Sequence, residues 1–175
     1  VLDAKTAAQL RAIGIDPARI PPGSTIGGKG IDSLGTPTVE VERCPNGTVR
    51  LVVPGPAPGK PRMTQRDKWK QRPEVVRYRA WCDMVRAAVG DCLPIASRVA
   101  EVNWTAYFEP PQSWSKKSRV AAIGRRHRSK PDRDNIDKAV LDCLFSRDEA
   151  IADGTLRKRW DWKARLEIEI ILERP

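Results

Sequence analysis

Two alternating segments constrain the fold of this chain most tightly. In VAEVNWTAYF, residues 99–108, Val102, Trp104, Ala106 and Phe108 alternate with Asn103, Thr105 and Tyr107. Successive side chains of a strand project to opposite faces, so the pattern predicts a strand with one buried face. ARLEIEIIL, residues 164–172, repeats it with Leu166, Ile168 and Ile170 against Arg165, Glu167 and Glu169, and reads as a closing strand. An apolar sheet face needs a cover, and PEVVRYRAWCDMVRAAV, residues 73–89, offers one. Its Val75, Tyr78, Cys82, Val85 and Val89 recur at spacings of three and four, one face of an amphipathic helix. The opposite face carries Arg77, Arg79 and Arg86, either solvated or turned toward phosphate.

The remaining elements follow from punctuation. VEVERCPNGTVRLVVPG predicts two strands flanking Pro45-Asn46-Gly47, with Asn-Gly supplying the positive φ angles of a tight hairpin turn. PGPAPGKPR then breaks regular structure and releases Lys60 and Arg62 from a strand end. After residue 108, PPQSWSKKSRVAAIGRRHRSK reads as a basic loop. Ile136, Ala139, Val140 and Leu144 behind Asp134-Asn135 predict a short helix from about 135 to 145. Together these elements predict an α+β fold: a single domain over residues 39–175, with a mixed or largely antiparallel sheet packed with helices. Residues 1–38 read as an N-terminal extension, a helix over Ala4–Ile13 capped by Asp3 and then a Pro/Gly-rich linker or arm.

At 175 residues the chain can bury a core without staples. Its charge is less ordinary, since 32 Lys and Arg against 22 Asp and Glu leave +10. That surplus favours a polyanionic partner, nucleic acid before an acidic membrane surface. No apolar run is long enough to span a bilayer, and VLDAKTAAQLRA has no signal-peptide pattern, so the expectation is a soluble, cytoplasmic protein. Cys44, Cys82, Cys92 and Cys143 are dispersed and accompany a single histidine, which argues for reduced, packed thiols and against zinc.

Against this basic background, HRSKPDRDNIDKAVLDCL, residues 127–144, concentrates acidic side chains behind the run Arg125-Arg126-His127-Arg128-Ser129-Lys130. Pro131 disfavours the helical region for Lys130, so the chain is expected to enter the motif extended, with Asp132 and Asp134 on one side. Two carboxylates so placed repel unless a cation lies between them. Hard oxygen donors without a Cys or His cluster select Mg²⁺, with Mn²⁺ as a substitute, and such a metal supports phosphodiester hydrolysis. The bland alternative is that these aspartates merely cap a helix. Lys138, four residues after Asp134, is either a same-face ion-pair partner or a contact for the scissile phosphate or leaving oxygen. His127, alone in a basic loop, reads as a DNA contact or as a residue without a role before it reads as a general base. Trp104 belongs to the core strand, whereas Trp69, Trp114, Trp160 and Trp162 stand among basic residues, where they pack, join copies or stack on an unpaired base.

KPDRDNIDKAVLDCL resembles the signature segment of the RusA-type Holliday-junction resolvases, a bacterial and phage family. VVPGPAPGKPR is similar to that family's first strand and basic loop, AYFEPPQSWSKKSR to its next strand and basic segment, and RDEAIADGTLRKRW to its acidic pair, strand and K-R-aromatic. The resemblance runs from about Val49 to the end and leaves out the first 38 or so residues. It implies a homodimer that binds a four-way DNA junction and makes paired, symmetric, Mg²⁺-dependent nicks. Asp132 and Asp134 would be metal ligands and Lys138 the essential basic residue. Counting back from Arg157-Lys158-Arg159-Trp160 puts the third catalytic carboxylate and metal ligand at Asp148. The loop before it departs from the family pattern, being short and without glycine, which keeps Glu149 and Asp153 as alternatives. The DNA-contact candidates are Lys60, Arg62, Lys116, Lys117, Arg125, Arg126, Lys130, Lys158 and Arg159. Rival readings are a nuclease for flaps or other branched DNA, and a junction-binding protein without catalysis.

Overall fold

The computed structural model describes residues 38–69, 72–93 and 96–173. The helix expected over 4–13 and nearly all of the arm that follows lie outside the described residues. Five strands, β1 (Glu40–Arg43), β2 (Val49–Pro54), β3 (Val99–Phe108), β4 (Leu156–Trp160) and β5 (Arg165–Leu172), form one sheet in the order β1-β2-β5-β3-β4. The β3–β4 pair is parallel and the other pairs are antiparallel. Helices α1 (Pro73–Val89), α2 (Lys116–Ala122) and α3 (Arg133–Leu144) complete the α+β domain.

Periodicity explains why one sheet face closes. In β5, Leu166, Ile168 and Ile170 stand opposite Val53, Leu51 and Val49 of β2 on one side. On its other side they meet Ala106, Trp104 and Val102 of β3. All nine are buried, as are Val75, Tyr78, Cys82, Val85 and Val89 of α1 and Ile136, Ala139, Val140, Cys143 and Leu144 of α3. The helices and this sheet face thus share one core, and burial of such apolar surface is the main favourable term in folding. On the opposite face, charged pairs such as Arg50–Glu169 (3.0 Å) alternate with Arg165, whose guanidinium lies 3.8 Å above the Tyr107 ring.

Three local details depart from expectation. In the hairpin only Gly47 has positive φ (+84°), and Gly47 N–H donates to Cys44 O. Pro45 fixes φ near −65° at the second turn position, which excludes the primed turns that Asn-Gly otherwise favours. Within the expected basic loop, Lys116–Ala122 is helical, because Ser115 Oγ accepts from Ser118 N–H (3.2 Å) at its start and the Lys, Arg and Ala that follow favour helix. Helix α3 begins two residues earlier than predicted. Asp132 is its N-cap, so Asp134 lies inside the first turn and not in an extended segment beside Asp132.

Two close approaches shape the edge of the sheet. Residues 124–127 run along β4, with Gly124 N–H donating to Trp160 O (2.9 Å) and His127 N–H to Lys158 O (3.1 Å). Near the start of β4, a Cβ on Gly154 would fall 2.2 Å from Val102 O. Only glycine lets this segment lie against β3.

Candidate active site

The motif residues assemble at the N-terminal end of α3. Asp132 occupies the N-cap with extended backbone (φ −70°, ψ 150°), yet its side chain makes no capping hydrogen bond. Capping therefore does not account for its carboxylate. Asp134 is 67% exposed and pairs with Lys138 Nζ at 3.4 Å, the expected i,i+4 partner, itself 60% exposed. A pair this accessible is worth little to stability and separates readily when another ligand competes. The helix N-terminus adds a partial positive charge that favours carboxylates and phosphate in this place.

Lys158 builds the floor under this site. Its ammonium donates to Ser129 O (2.6 Å) and Pro131 O (2.5 Å), and so ties the turn that delivers Asp132 to strand β4. Burial pulls the Lys158 ammonium below its usual range, and the charge of Asp132 opposes that pull. Of the DNA-contact candidates, then, Lys158 is spent on the protein's own backbone. Lys60 is also engaged: its amide donates to Asn135 O (2.8 Å) and its ammonium pairs with Asp142 two turns further along α3. Arg62, Lys116, Lys117, Arg125, Arg126 and Lys130 are exposed, and Arg159 is half-buried across from Arg126. Against Pro131, a Cβ on Gly59 would come within 3.0 Å of the proline Cβ, so glycine lets the basic 55–62 loop close on the motif.

His127 is not at the surface. It is 7% exposed, stacked on Phe108 (centroids 4.1 Å, 23°) and edge-on to Trp160 (4.2 Å). Burial first, and Lys158 second, push its pKa down to about 4, so the ring is neutral near pH 7. Its buried Nδ1 has no hydrogen-bond partner among the described residues. Packing therefore explains His127 better than base catalysis or a DNA contact. Arg86, weighed as phosphate-facing, instead donates to Cys143 O (2.8 Å) and Asp142 O (2.7 Å) at the other end of α3.

Sequence reasoning passed over Asp137. Its Oδ1 accepts from Trp104 Nε1 (2.9 Å), which joins α3 to the core strand β3. A buried indole N–H needs an acceptor, and that rule was the available signal.

The third carboxylate does not join the other two within one chain. Asp148 follows the C-terminal end of α3, beside a cleft of about 570 Å³ lined also by Arg86, Asp142 and Ser146. Twelve residues of α3 put roughly 18 Å between the two ends. Glu149, in an exposed pair with Arg147 (2.8 Å), and Asp153, whose carbonyl accepts from Val102 N–H (3.1 Å), lie at the same far end. Consistent with this, no three His, Cys, Asp or Glu side chains among the described residues group so as to hold a metal ion. The two hard-oxygen donors Asp132 and Asp134 suit a divalent cation; one chain alone does not enclose it.

Exposed carboxylates at a helix start, on a chain whose nearby arginines and lysines are also exposed, suit chemistry on a phosphodiester. The family model Endodeoxyribonuclease RusA matches residues 54–171. This chain belongs to the RusA endodeoxyribonuclease family. No curated protein matches it. Among the described residues, no helix is long and apolar enough to cross a membrane.

Proposed function

We propose that this chain resolves four-way DNA junctions by paired, symmetric, Mg²⁺-dependent nicks, as a homodimer whose two active sites are each completed across the interface. The observation that carries this reading is the division of carboxylates between the ends of α3: Asp132 and Asp134 at one, Asp148 at the other. A two-fold axis that sets α3 antiparallel to its copy brings the N-terminal end of each helix toward the C-terminal end of the other. Such an interface makes every contact twice and yields two equivalent sites, matching the symmetry of a four-way junction.

In this site Asp132, Asp134 and the partner copy's equivalent of Asp148 would hold the cation, which would supply a water of lowered pKa and offset charge developing on the phosphate. Lys138, released from Asp134, neutralises the scissile phosphate or the departing oxygen. Lys158 keeps the Ser129–Pro131 turn, and with it Asp132, in position. Exposed Arg62, Lys116, Lys117, Arg125, Arg126 and Lys130 offset the repulsion between acidic site and DNA by displacing counterions.

A nicking assay on a synthetic four-way junction, a linear duplex and a flap, in Mg²⁺ or EDTA, tests the reaction. Paired nicks confined to the junction are expected; cutting of the flap alone overturns junction resolution. Mixing the Asp132→Asn and Asp148→Asn proteins tests the shared site. Each is inactive alone, and subunit exchange restores one intact site per heterodimer. A mixture that exchanges subunits and remains inactive overturns the division between copies.

A further inference from the structure

We infer that Trp114 and Trp162, beside α2, form a stacking surface for a base unstacked at the branch point of the DNA. This rests on the junction-binding reading and adds a means of recognising branched over linear DNA. Most large apolar side chains are buried, but Trp114 is 40% exposed and Trp162 53% exposed. Both are held. Trp114 rests on Trp160 (centroids 5.3 Å, 58°), which meets His127 edge-on, which in turn stacks on Phe108. Trp114 is thus the outer end of an aromatic column rooted in the core, and Trp114 N–H is fixed to Pro111 O (3.1 Å). Arg119 of α2 lies over the Trp162 ring at 5.8 Å. By contrast Trp69, 87% exposed, has no such column beneath it among the described residues.

The surroundings select the occupant. Lys116 and Lys117 in α2, and Arg125 and Arg126 just after it, are exposed and basic, so a polyanion is favoured beside the two rings. Rigid aromatic faces within a basic surface are how proteins bind bases without reading sequence, because every base has a π face. A continuous duplex offers no free face, whereas a branch point offers bases whose stacking is interrupted. The column reaches toward the catalytic floor as well: Lys158, which ties down the turn before Asp132, lies 6.0 Å from the Phe108 ring. A base captured at Trp114 is thereby registered against the site of cleavage.

The test uses the full chain and a junction with 2-aminopurine at the crossover, in Ca²⁺ to prevent cutting. Wild type is compared with Trp114→Ala, Trp162→Ala and the two Phe variants, with thermal melts to confirm folding. The Ala variants are expected to bind the junction roughly 5- to 100-fold more weakly and to leave the 2-aminopurine fluorescence unquenched, with linear-duplex affinity unchanged. The Phe variants retain most of both signals. Unchanged junction affinity and quenching in folded Ala variants overturn the proposal. So does a dimeric wild type whose Ala variants sediment as monomers, which makes the patch an interface between copies. Wild-type nicking of the same junction in Mg²⁺ is measured beside it; normal nicking with unchanged quenching defeats the stacking surface alone, and absent nicking defeats the proposed reaction.

Discussion

The two ends of α3 hold the same kind of residue and use it differently. At the N-terminal end, Asp132 makes no cap hydrogen bond and Asp134 holds only a solvent-accessible lysine. Toward the C-terminal end, Asp142 is bound by Lys60, and the last carbonyls of the helix are taken by Arg86. The first end leaves its charge available and the second spends it on joining α1 and the 55–62 loop to α3. A carboxylate is informative about function when the fold has given it no other work. Sequence spacing alone does not reveal this.

The comparison is broken most directly by Asp132→Asn against Asp142→Asn. Nicking is expected to fall on the order of 100- to 1000-fold in the first, the scale of losing one transition-state electrostatic group. In the second it changes less than about fivefold, because a half-exposed pair contributes roughly 1 kcal/mol or less. Equal losses in the two would erase the distinction.

Next comes Lys158→Met, which frees the Ser129–Pro131 turn without touching a ligand. The Mg²⁺ concentration for half-maximal cleavage should rise about 10- to 100-fold, as for other groups that orient ligands. Junction affinity measured in Ca²⁺ should change far less, and Lys158→Arg should recover part of the loss. An unchanged Mg²⁺ requirement would show that the turn holds its place unaided.

At the opposite end, Arg86→Gln removes charged donors from two carbonyls and should cost about 1–3 kcal/mol of stability in urea unfolding. Its Mg²⁺ requirement stays at the wild-type value. A raised requirement would mean that Arg86 also helps to place Asp148, which lines the same cleft.

The smallest effect concerns pH. Because His127 has its pKa pushed from 6.5 to about 4, the unfolded chain takes up a proton across that interval and the folded chain does not. Stability therefore falls as pH drops from about 6.5 toward 4. His127→Phe keeps an aromatic ring between Phe108 and Trp160 and should flatten this part of the curve in thermal melts. Parallel curves for the two proteins would mean that other groups account for the slope.

Strands β3 and β5 and the buried faces of α1 and α3 were legible because apolar periodicity reports directly on a single covered face, whereas β4, with no such alternation, was expected only through the family resemblance. Val75, Tyr78, Cys82, Val85 and Val89 are all buried, as their spacing predicted. The acidic motif was legible as a motif, but its geometry was not. Whether Asp132 or Asp134 begins the helix depends on two residues of backbone, below the resolution of pattern reading. The roles of Lys60, Arg86 and Lys158 depend on carbonyls and carboxylates brought near by the fold. A basic side chain looks the same in sequence whether it meets DNA or ties down a turn. His127 was misplaced for a related reason: a polar run predicts a surface loop, while here the run lies along β4 and turns one ring into an aromatic column.

Strand β5 lies between β2 and β3, although more than 100 residues of chain separate it from β2. Among the described strands, β5 alone links the β1–β2 hairpin to the β3–β4 pair. A chain cut before Arg165 therefore holds two sheet fragments without their common neighbour and has no floor on which α1 and α3 can meet. Pairing over such separations makes folding slow, since loop-closure entropy must be met before the contacts form. Nuclease competence is accordingly a late event in the life of this polypeptide, gained only once the strand that includes Leu166, Ile168 and Ile170 has been threaded between its neighbours.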